Sequence, residues 1–309
     1  MAAGGGKEEN KSLTTGWHKR FDWGSLVLTL PMWIVILLMV ILPILITLRT
    51  ALSSATFIGV PSKFVGMQQF KRVLADSLFW DSLKRSAIWV MGNALLQTTV
   101  AFACALLVDR MKRGTMFQII ILTPWIIPTV SVALIGTWLM NANYGIVNYL
   151  LVETGLIKSP INAFGDPSMA LHSLIILNSW RFFPFFFVVI LGALKTVPHE
   201  LYEASAIDGA SALMTFKHVT LPLINRVLGL VGLIGTMWSF NVFDTIYLIT
   251  KGGPADSTLT APIYIYHRAF NQFQVGQSAA ASVLVMVILL MFASLFYRLI
   301  GQQAGRQSG

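Results

Sequence analysis

The sequence predicts an all-α protein that crosses a lipid bilayer six times. Two compositional properties point there first. Of the 309 residues, 55% are hydrophobic and only 11% are charged, where soluble domains carry roughly 25% charged residues, and the mean hydropathy is +0.70. The third observation is that the apolar residues gather into runs of about 20, the length a helix needs to cross the hydrocarbon core. Helices are expected because each one satisfies its own backbone polar groups inside lipid.

Taken in order, residues 1–25 form a polar N-terminal tail opening on "MAAGGGKEENKSLTTG", whose composition predicts disorder. Leu26 to Leu48 then gives 23 residues without a charge, the first span. Lys19 and Arg20 before it and "LSSA" after it imitate a secretory signal. The run exceeds the roughly 7–15 apolar residues of such signals, so an uncleaved helix is expected. The loop from Arg49 to Arg85 sets Phe64, Phe70, Phe79 and Trp80 among charges, which suits a short amphipathic helix at the membrane surface or plain interfacial packing. Ser86 to Val108, again 23 uncharged residues, is the second span and holds the single cysteine, Cys104. One cysteine excludes an intrachain disulfide and a cysteine metal cluster.

The third span, 116–139, contains Pro124 and Pro128, each of which removes a helix hydrogen bond and invites a kink. The fourth, 170–194, carries Arg181 inside it; the fifth covers 223–243 and the sixth 279–300. The six belong to one membrane domain over 26–300, followed by a polar tail, "GQQAGRQSG", over 301–309. No stretch between spans is longer than about 40 residues, too short for a soluble domain without staples.

A formal charge of +9 raises the question of nucleic acid, but the Lys and Arg residues are scattered over loops. Membrane orientation accounts for them better. With the N-terminus in the cytoplasm, inner segments hold 12 Lys/Arg and outer loops nine. "GGGKEE" lacks the upstream Gly and the following Ser or Thr of a phosphate-binding loop, so no ATP site or other cofactor is expected on this chain. "HELYE" at His199 lacks the second histidine of a zinc-protease helix, no Gly-x-Ser-x-Gly elbow occurs, and the five histidines are dispersed. Neither a catalytic nor a metal site is expected.

The polar segment 196–222, containing "ELYEASAIDGASALMTFKHVTLPL", is out of place in so apolar a chain. Pro198 suits a first helical position, Glu200 and Glu203 favour the positive end of a helix dipole, and Gly209 can take the left-handed conformation that ends a helix. A short helix over about 198–208 is predicted, then a second, capped by Ser211, through about His218, with Pro222 beginning the next span. Ala204, Ser205, Ala206 and Ala210 leave room for another backbone, so the loop is either a docking surface or a helix lying on its own protein.

Its residues resemble the EAA loop of ABC importer permeases, Glu-Ala-Ala, three residues, Gly, nine residues, then Ile-x-Leu-Pro. Glu203, Ala204, Gly209, Leu221 and Pro222 fall on that pattern, with Ser205 for the second Ala and Val219 for the Ile. The resemblance continues through "FVGMQQFKRVL", "LTPWIIPTV", "YGIVNYLL", "SWRFFPFFFVVILGAL", "FDTIYLITKGGPADST" and "YIYHRAFNQFQVGQSAAAS", each similar to segments of the sugar-importer branch of maltose and glycerol-3-phosphate type. It implies a type I ABC importer permease fold in the bacterial inner membrane, with both termini cytoplasmic. It implies that Tyr202, Glu203, Ala204, Ser205, Asp208, Gly209, Leu221 and Pro222 form a coupling loop. It also implies the partners: a second permease, in a heterodimer; two cytoplasmic ATPase subunits that use ATP and Mg; and an extracytoplasmic solute-binding protein.

A sugar path needs hydrogen-bonding groups for hydroxyls and aromatic faces for C–H surfaces. Trp125, Thr129, Asn178, Trp180, Trp238, Asn241, Phe243 and Asp244 are the candidates, each with a packing role as its alternative. Arg181 is costly in mid-span, at least about 2.5 kcal/mol on insertion scales. It either pairs with Asp244, serves the structure alone, or attracts an anionic group on the sugar. Gly252, Gly253 and Pro254 in "TKGGPADS" predict an outer turn, with positive φ available at both glycines, that faces the binding protein, lines an outer gate, or simply connects. An ion-coupled secondary transporter shares the hydropathy. It ordinarily carries embedded acids and pseudo-symmetric halves, whereas Asp244 is the only such acid here.

Overall fold

The structure, a computed structural model, describes residues 23–55, 63–111 and 114–306. The tail expected over 1–25 lies outside these residues as far as residue 22. The chain divides at residue 46 into two units. The first holds α1 (Trp23–Ile36), a π-helical turn (Leu37–Ile41) and the start of α2 (Leu42–Ala51). Leu28, Met32, Trp33, Val35, Leu37 and Met39 all stand exposed. A helix apolar on every side needs lipid or another chain around it.

In the second unit, α3 (Gln68–Leu74) leads to α4 (Ser77–Asp109), and then come α5 (Gly114–Ile126), α6 (Thr129–Leu139), α7 (Ile146–Glu153) and α8 (Ala170–Leu194). Next are α9 (His199–Ile207), α10 (Ala212–Thr215), a π-turn (Phe216–Thr220) and α11 (Leu221–Phe240). The chain ends in α12 (Asp244–Ile249), α13 (Ala261–Tyr266), a π-turn (His267–Asn271) and α14 (Val275–Arg306). Five stretches are long and apolar enough to cross a membrane, and a bent pair makes a sixth.

That bent pair corrects the expectation of a kinked third span. α5 and α6 meet at 94°; at about 20 Å and about 17 Å, neither is a crossing by itself. The break falls at Pro128 and not at Pro124, which stays inside α5. Proline drives the residue before it out of the helical region, and Pro128 itself stands at ψ 143°, as the N-cap of α6.

Two further boundaries and one packing expectation differ. The second helix after Gly209 does not stop near His218 but runs through the π-turn into α11, and the wider turn just before Pro222 makes room for the proline ring that would clash in a regular helix. Residues 301–306, expected in a disordered tail, are helical, since extending a formed helix is far easier than starting one. Of the outer-loop aromatics, Phe70 and Phe79 are buried in the protein while Phe64 and Trp80 are exposed. The loop therefore packs on its own chain through α3 and the first turn of α4 instead of lying flat on lipid.

α4 and α8 form the central pair. One core cluster surrounds the first half of α8 with Trp89, Leu174, Ile246, Ile263 and Tyr264, and another surrounds its second half with Ala101, Phe187, Ile190, Ile224 and Val231. Lipid tails are as apolar as leucine, so polar contacts and close fit do much of the pairing here. Asn93, fully buried, supplies them: its Oδ1 accepts from Asn178 Nδ2 at 2.7 Å, Gln97 Nε2 at 3.1 Å and Ser179 Oγ at 3.2 Å, and its Nδ2 donates to the Trp89 carbonyl at 2.8 Å. Asn93→Leu is expected to cost about 1–2 kcal/mol, read as a lower midpoint in SDS titration of the chain in mixed micelles.

A second polar junction ties α4 to the segment before α14. Asp76 caps α4, accepting from Leu78 N at 3.0 Å, and its other oxygen takes the Tyr264 hydroxyl at 2.7 Å and the Arg268 guanidinium. Arg268 also donates to Gln272 and Gln274, each at 2.8 Å. Burial and the Asp76 carboxylate push the Tyr264 phenol well above its ordinary range. The cluster holds α13 across the end of α4, where Ser86 Oγ also accepts from Ala261 N at 2.8 Å.

Candidate functional site

The polar loop is built as a projecting elbow. Pro198 stands just outside α9 as its N-cap, at φ −59° and ψ 134°, so the helix begins one residue later than expected. The helical period sorts its side chains into two faces. Tyr202 and Ser205 face inward: the Thr220 hydroxyl donates to Tyr202 Oη at 3.2 Å, Ser205 Oγ donates to the Tyr202 carbonyl at 2.8 Å, and Ser205 Oγ meets Thr215 Oγ1 at 3.1 Å. These contacts fasten α9 to α10 and to the π-turn leading into α11. Ser205, counted among the small residues of a docking surface, is therefore buried against its own protein.

The outward face carries Leu201, Glu203, Ala204, Ile207 and Asp208, all exposed, with Ile207 87% exposed. Glu203 lies 3.2 Å from His199 Nδ1 in an exposed pair. Gly209 takes φ +71° and ends the helix, Ala210 N returns to the Ser205 carbonyl at 3.0 Å, and Ser211 accepts from Met214 N at 3.4 Å. Leu221 is half-buried and Pro222 exposed at the start of α11. Behind the elbow lies a cavity of about 1190 Å³ lined by Phe102, Asp109, Lys195, Tyr202, Thr215 and Phe216.

Within the membrane region, two of the sequence candidates, Trp125 and Trp238, converge on a residue that the sequence reading passed over. The Phe185 ring lies 4.8 Å from Trp238 and 5.8 Å from Trp125, one helical turn along α8 from Arg181. The Arg181 guanidinium sits 4.7 Å from the Phe182 ring centroid, and its Nε is buried without a hydrogen-bond acceptor. Asp244 is exposed at the start of α12. No ion pair within 4.0 Å forms between Arg181 and Asp244, so of the alternatives for Arg181 the direct pairing with Asp244 is not made.

The other candidates scatter. Asn178 belongs to the Asn93 network and is fully buried, a helix tie rather than a lining group. Trp180 is exposed and Thr129 half-buried. Asn241 donates to the Met237 carbonyl at 2.8 Å. Phe243 stacks on Tyr247 at 4.8 Å and meets Tyr266 at 5.0 Å, and Tyr266 meets Phe270 at 4.8 Å. The hydrogen bond with Tyr247 raises the Tyr266 phenol above its ordinary value. Phe243, Tyr266 and Phe270 border a cavity of about 630 Å³ whose wall includes Met237, Asn241 and Ser282. Tyr247, Tyr266 and Phe270 were missed because they come together only when α12 and α13 fold back on each other.

The turn expected on the outer side is tightly bonded. Thr258 Oγ1 donates to the Gly253 carbonyl at 2.8 Å and meets Thr250 Oγ1 at 2.7 Å. Only Gly252 of the two glycines takes positive φ, at +93°; Lys251, Ala255 and Asp256 do so in place of Gly253. Pro254 follows Gly253 through a cis bond. Among the described residues no group of three or more His, Cys, Asp or Glu could hold a metal ion.

Comparison with known proteins places this geometry. Residues 97–306 match the family described as binding-protein-dependent transport system inner membrane component. The chain is 34% identical over 278 residues to the trehalose/maltose transport system permease protein MalF of Thermococcus litoralis, covering 88% of this chain and 92% of that one. It is 26% identical over 290 residues to the sulfoquinovosyl glycerol transport system permease protein SmoG of Agrobacterium fabrum, covering 92% and 94%. A solved bacterial alginate ABC transporter, in complex with an alginate pentasaccharide-bound periplasmic protein, shares the fold with a TM-score of 0.78 at 20% identity, over 89% of this chain and 93% of that one. With two thirds of its length matched to the family and a relative above 30% identity along nearly all of it, the chain belongs to the inner membrane components of binding-protein-dependent transport systems.

Proposed function

We propose that the chain is the membrane permease subunit of an ABC importer that carries a sugar or sugar derivative into the cytoplasm by alternating access. The observation that carries this reading is α9: a short helix whose inner face is bonded to α10 and the π-turn while its outer face presents Leu201, Ala204 and Ile207 to solvent. An exposed apolar ridge braced from behind is suited to transmit a push from a partner. The EAA pattern on Glu203, Ala204 and Gly209 supports an ATPase as that partner.

On this reading two cytoplasmic ATPase subunits bind ATP and Mg, grip α9 and its counterpart on a second, different permease chain, and rock the helices apart on the outer side. A solute-binding protein delivers the sugar there, and the turn around Gly252, Gly253 and Pro254 faces it or lines the outer gate. α9 is then cytoplasmic, as are both termini, which agrees with the charge distribution. The sugar assignment draws on the trehalose/maltose relative. The path runs past Trp125, Phe185, Trp238 and Arg181, with Asn241, Phe243 and Asp244 at its outer end. ATP-driven states of such a device differ by a few kcal/mol, so partners can switch them.

The test is uptake by proteoliposomes containing the chain together with the proteins of its gene neighbourhood. Uptake stops when ATP is withdrawn and continues when ion gradients are collapsed with ionophores; the reverse result establishes an ion-coupled secondary transporter instead.

A further inference from the structure

The cavity behind the elbow has no part in the transport path, yet its wall is graded in chemistry. α4 and α8 both end on it, and each ends on a cation: Arg110 is the C-cap of α4 and Lys195 the C-cap of α8. Along α4 the lining runs from Phe102 through Leu106 to Asp109 and Arg110, from apolar to ionic in about two turns. Leu194 and the Phe216 ring, 5.4 Å from Phe102 and nearly perpendicular to it, extend the apolar part. At the rim Arg110 and Lys195 are exposed, and among the described residues neither belongs to an ion pair. Asp109 offsets one of these two charges, and His199 is engaged with Glu203. The Tyr202 phenol accepts from Thr220, which leaves its own proton to donate.

We infer that this cavity seats one anionic phospholipid, with its phosphate between Arg110 and Lys195 and part of an acyl chain along Phe102, Leu106 and Phe216. A cation at a helix C-terminus also complements the macrodipole, but that role explains neither the volume of about 1190 Å³ nor the apolar wall beneath the rim. The chemistry that the rim recognises is a phosphate anion. The wall decides its source, because a free phosphate has no apolar part to bury there. Two membrane spans end at this rim, which puts it at headgroup depth, and basic pockets between transmembrane helices are a recurrent form of lipid headgroup site. The inference stands on the cavity and does not draw on the transport reading.

The test uses the full chain in detergent micelles, mixed with equal amounts of palmitoyl-oleoyl phosphatidylglycerol and phosphatidylcholine, with retained lipid counted by native mass spectrometry. The chain keeps phosphatidylglycerol with a preference of about ten-fold. Arg110→Gln with Lys195→Gln brings the preference to within about two-fold, the loss expected when both cations go. Both side chains are exposed, so the unfolding midpoint in lipid-free micelles stays that of the parent. Arg110→Lys with Lys195→Arg keeps the preference, as does Lys217→Gln, which removes an exposed cation of the neighbouring π-turn that does not line the cavity. An excess of inorganic phosphate leaves the lipid bound. Equal retention of the two lipids by the unaltered chain, an undiminished preference in the double glutamine variant, the same loss in Lys217→Gln, or displacement of the lipid by inorganic phosphate overturns the inference, the last by assigning the rim to a free anion.

Discussion

Arg268→Met unfolds at a stability about 3–5 kcal/mol below that of the unaltered chain, the usual cost of removing one partner from a buried pair. Arg268 and Asp76 are only 17% and 19% exposed, so Asp76 would be left partly buried with one hydrogen bond from Tyr264 and its cap on Leu78 N. Gln272 and Gln274 would lose their shared donor as well. The loss is read by SDS or urea titration in mixed micelles. Arg268→Lys recovers part of it, because one ammonium can reach Asp76 but cannot also serve both glutamines. If Arg268→Met unfolds within about 0.5 kcal/mol of the parent, the range of ordinary surface substitutions, the cluster is not a structural tie.

Ile207→Asp has the largest expected effect on transport. Ile207 is the most exposed large apolar side chain on the elbow, so nothing inside the fold depends on it and the variant keeps its unfolding midpoint. Burying this side chain against a partner makes it an anchor of the kind that costs 2 kcal/mol or more when lost, about 30-fold in affinity at 1.4 kcal/mol per decade. An acid placed beside Asp208 adds like-charge repulsion. Copurification of the ATPase with Ile207→Asp is expected to fall by at least that factor and ATP-driven uptake to fall to background, while the membrane chain itself stays folded. Full uptake by this variant removes the elbow from the coupling path.

How much of this could be read from the sequence depends on the range of the interaction involved. The spans were legible because hydropathy is a local sum, and the elbow was legible because Pro198, Gly209 and Ser211 each dictate backbone geometry on the spot. Proline context was harder. Pro124 and Pro128 look alike in the sequence, yet only Pro128 breaks the helix, because α5 accommodates Pro124 in the buried interior. Side-chain partnerships between distant elements were not legible at all. Asp76 and Arg268 are separated by 192 positions, and neither carries a local sign that it belongs to the other. Asn178 looked like a lining residue until Asn93, 85 positions earlier, proved to hold it. The ring cluster failed on the same ground: Trp125 and Trp238 were candidates for their type, but Phe185, which joins them, sits among four other phenylalanines of the same helix and nothing local sets it apart.

The right-angled turn at Pro128 has a consequence for the chain in the bilayer. Where α5 stops and α6 starts, the last carbonyls of one and the first amides of the other have no helical mates. Hydrocarbon offers them none, and irregular backbone at that depth persists only against protein or a wet cavity. A copy of the chain is therefore stable in the bilayer only with protein or water against this turn.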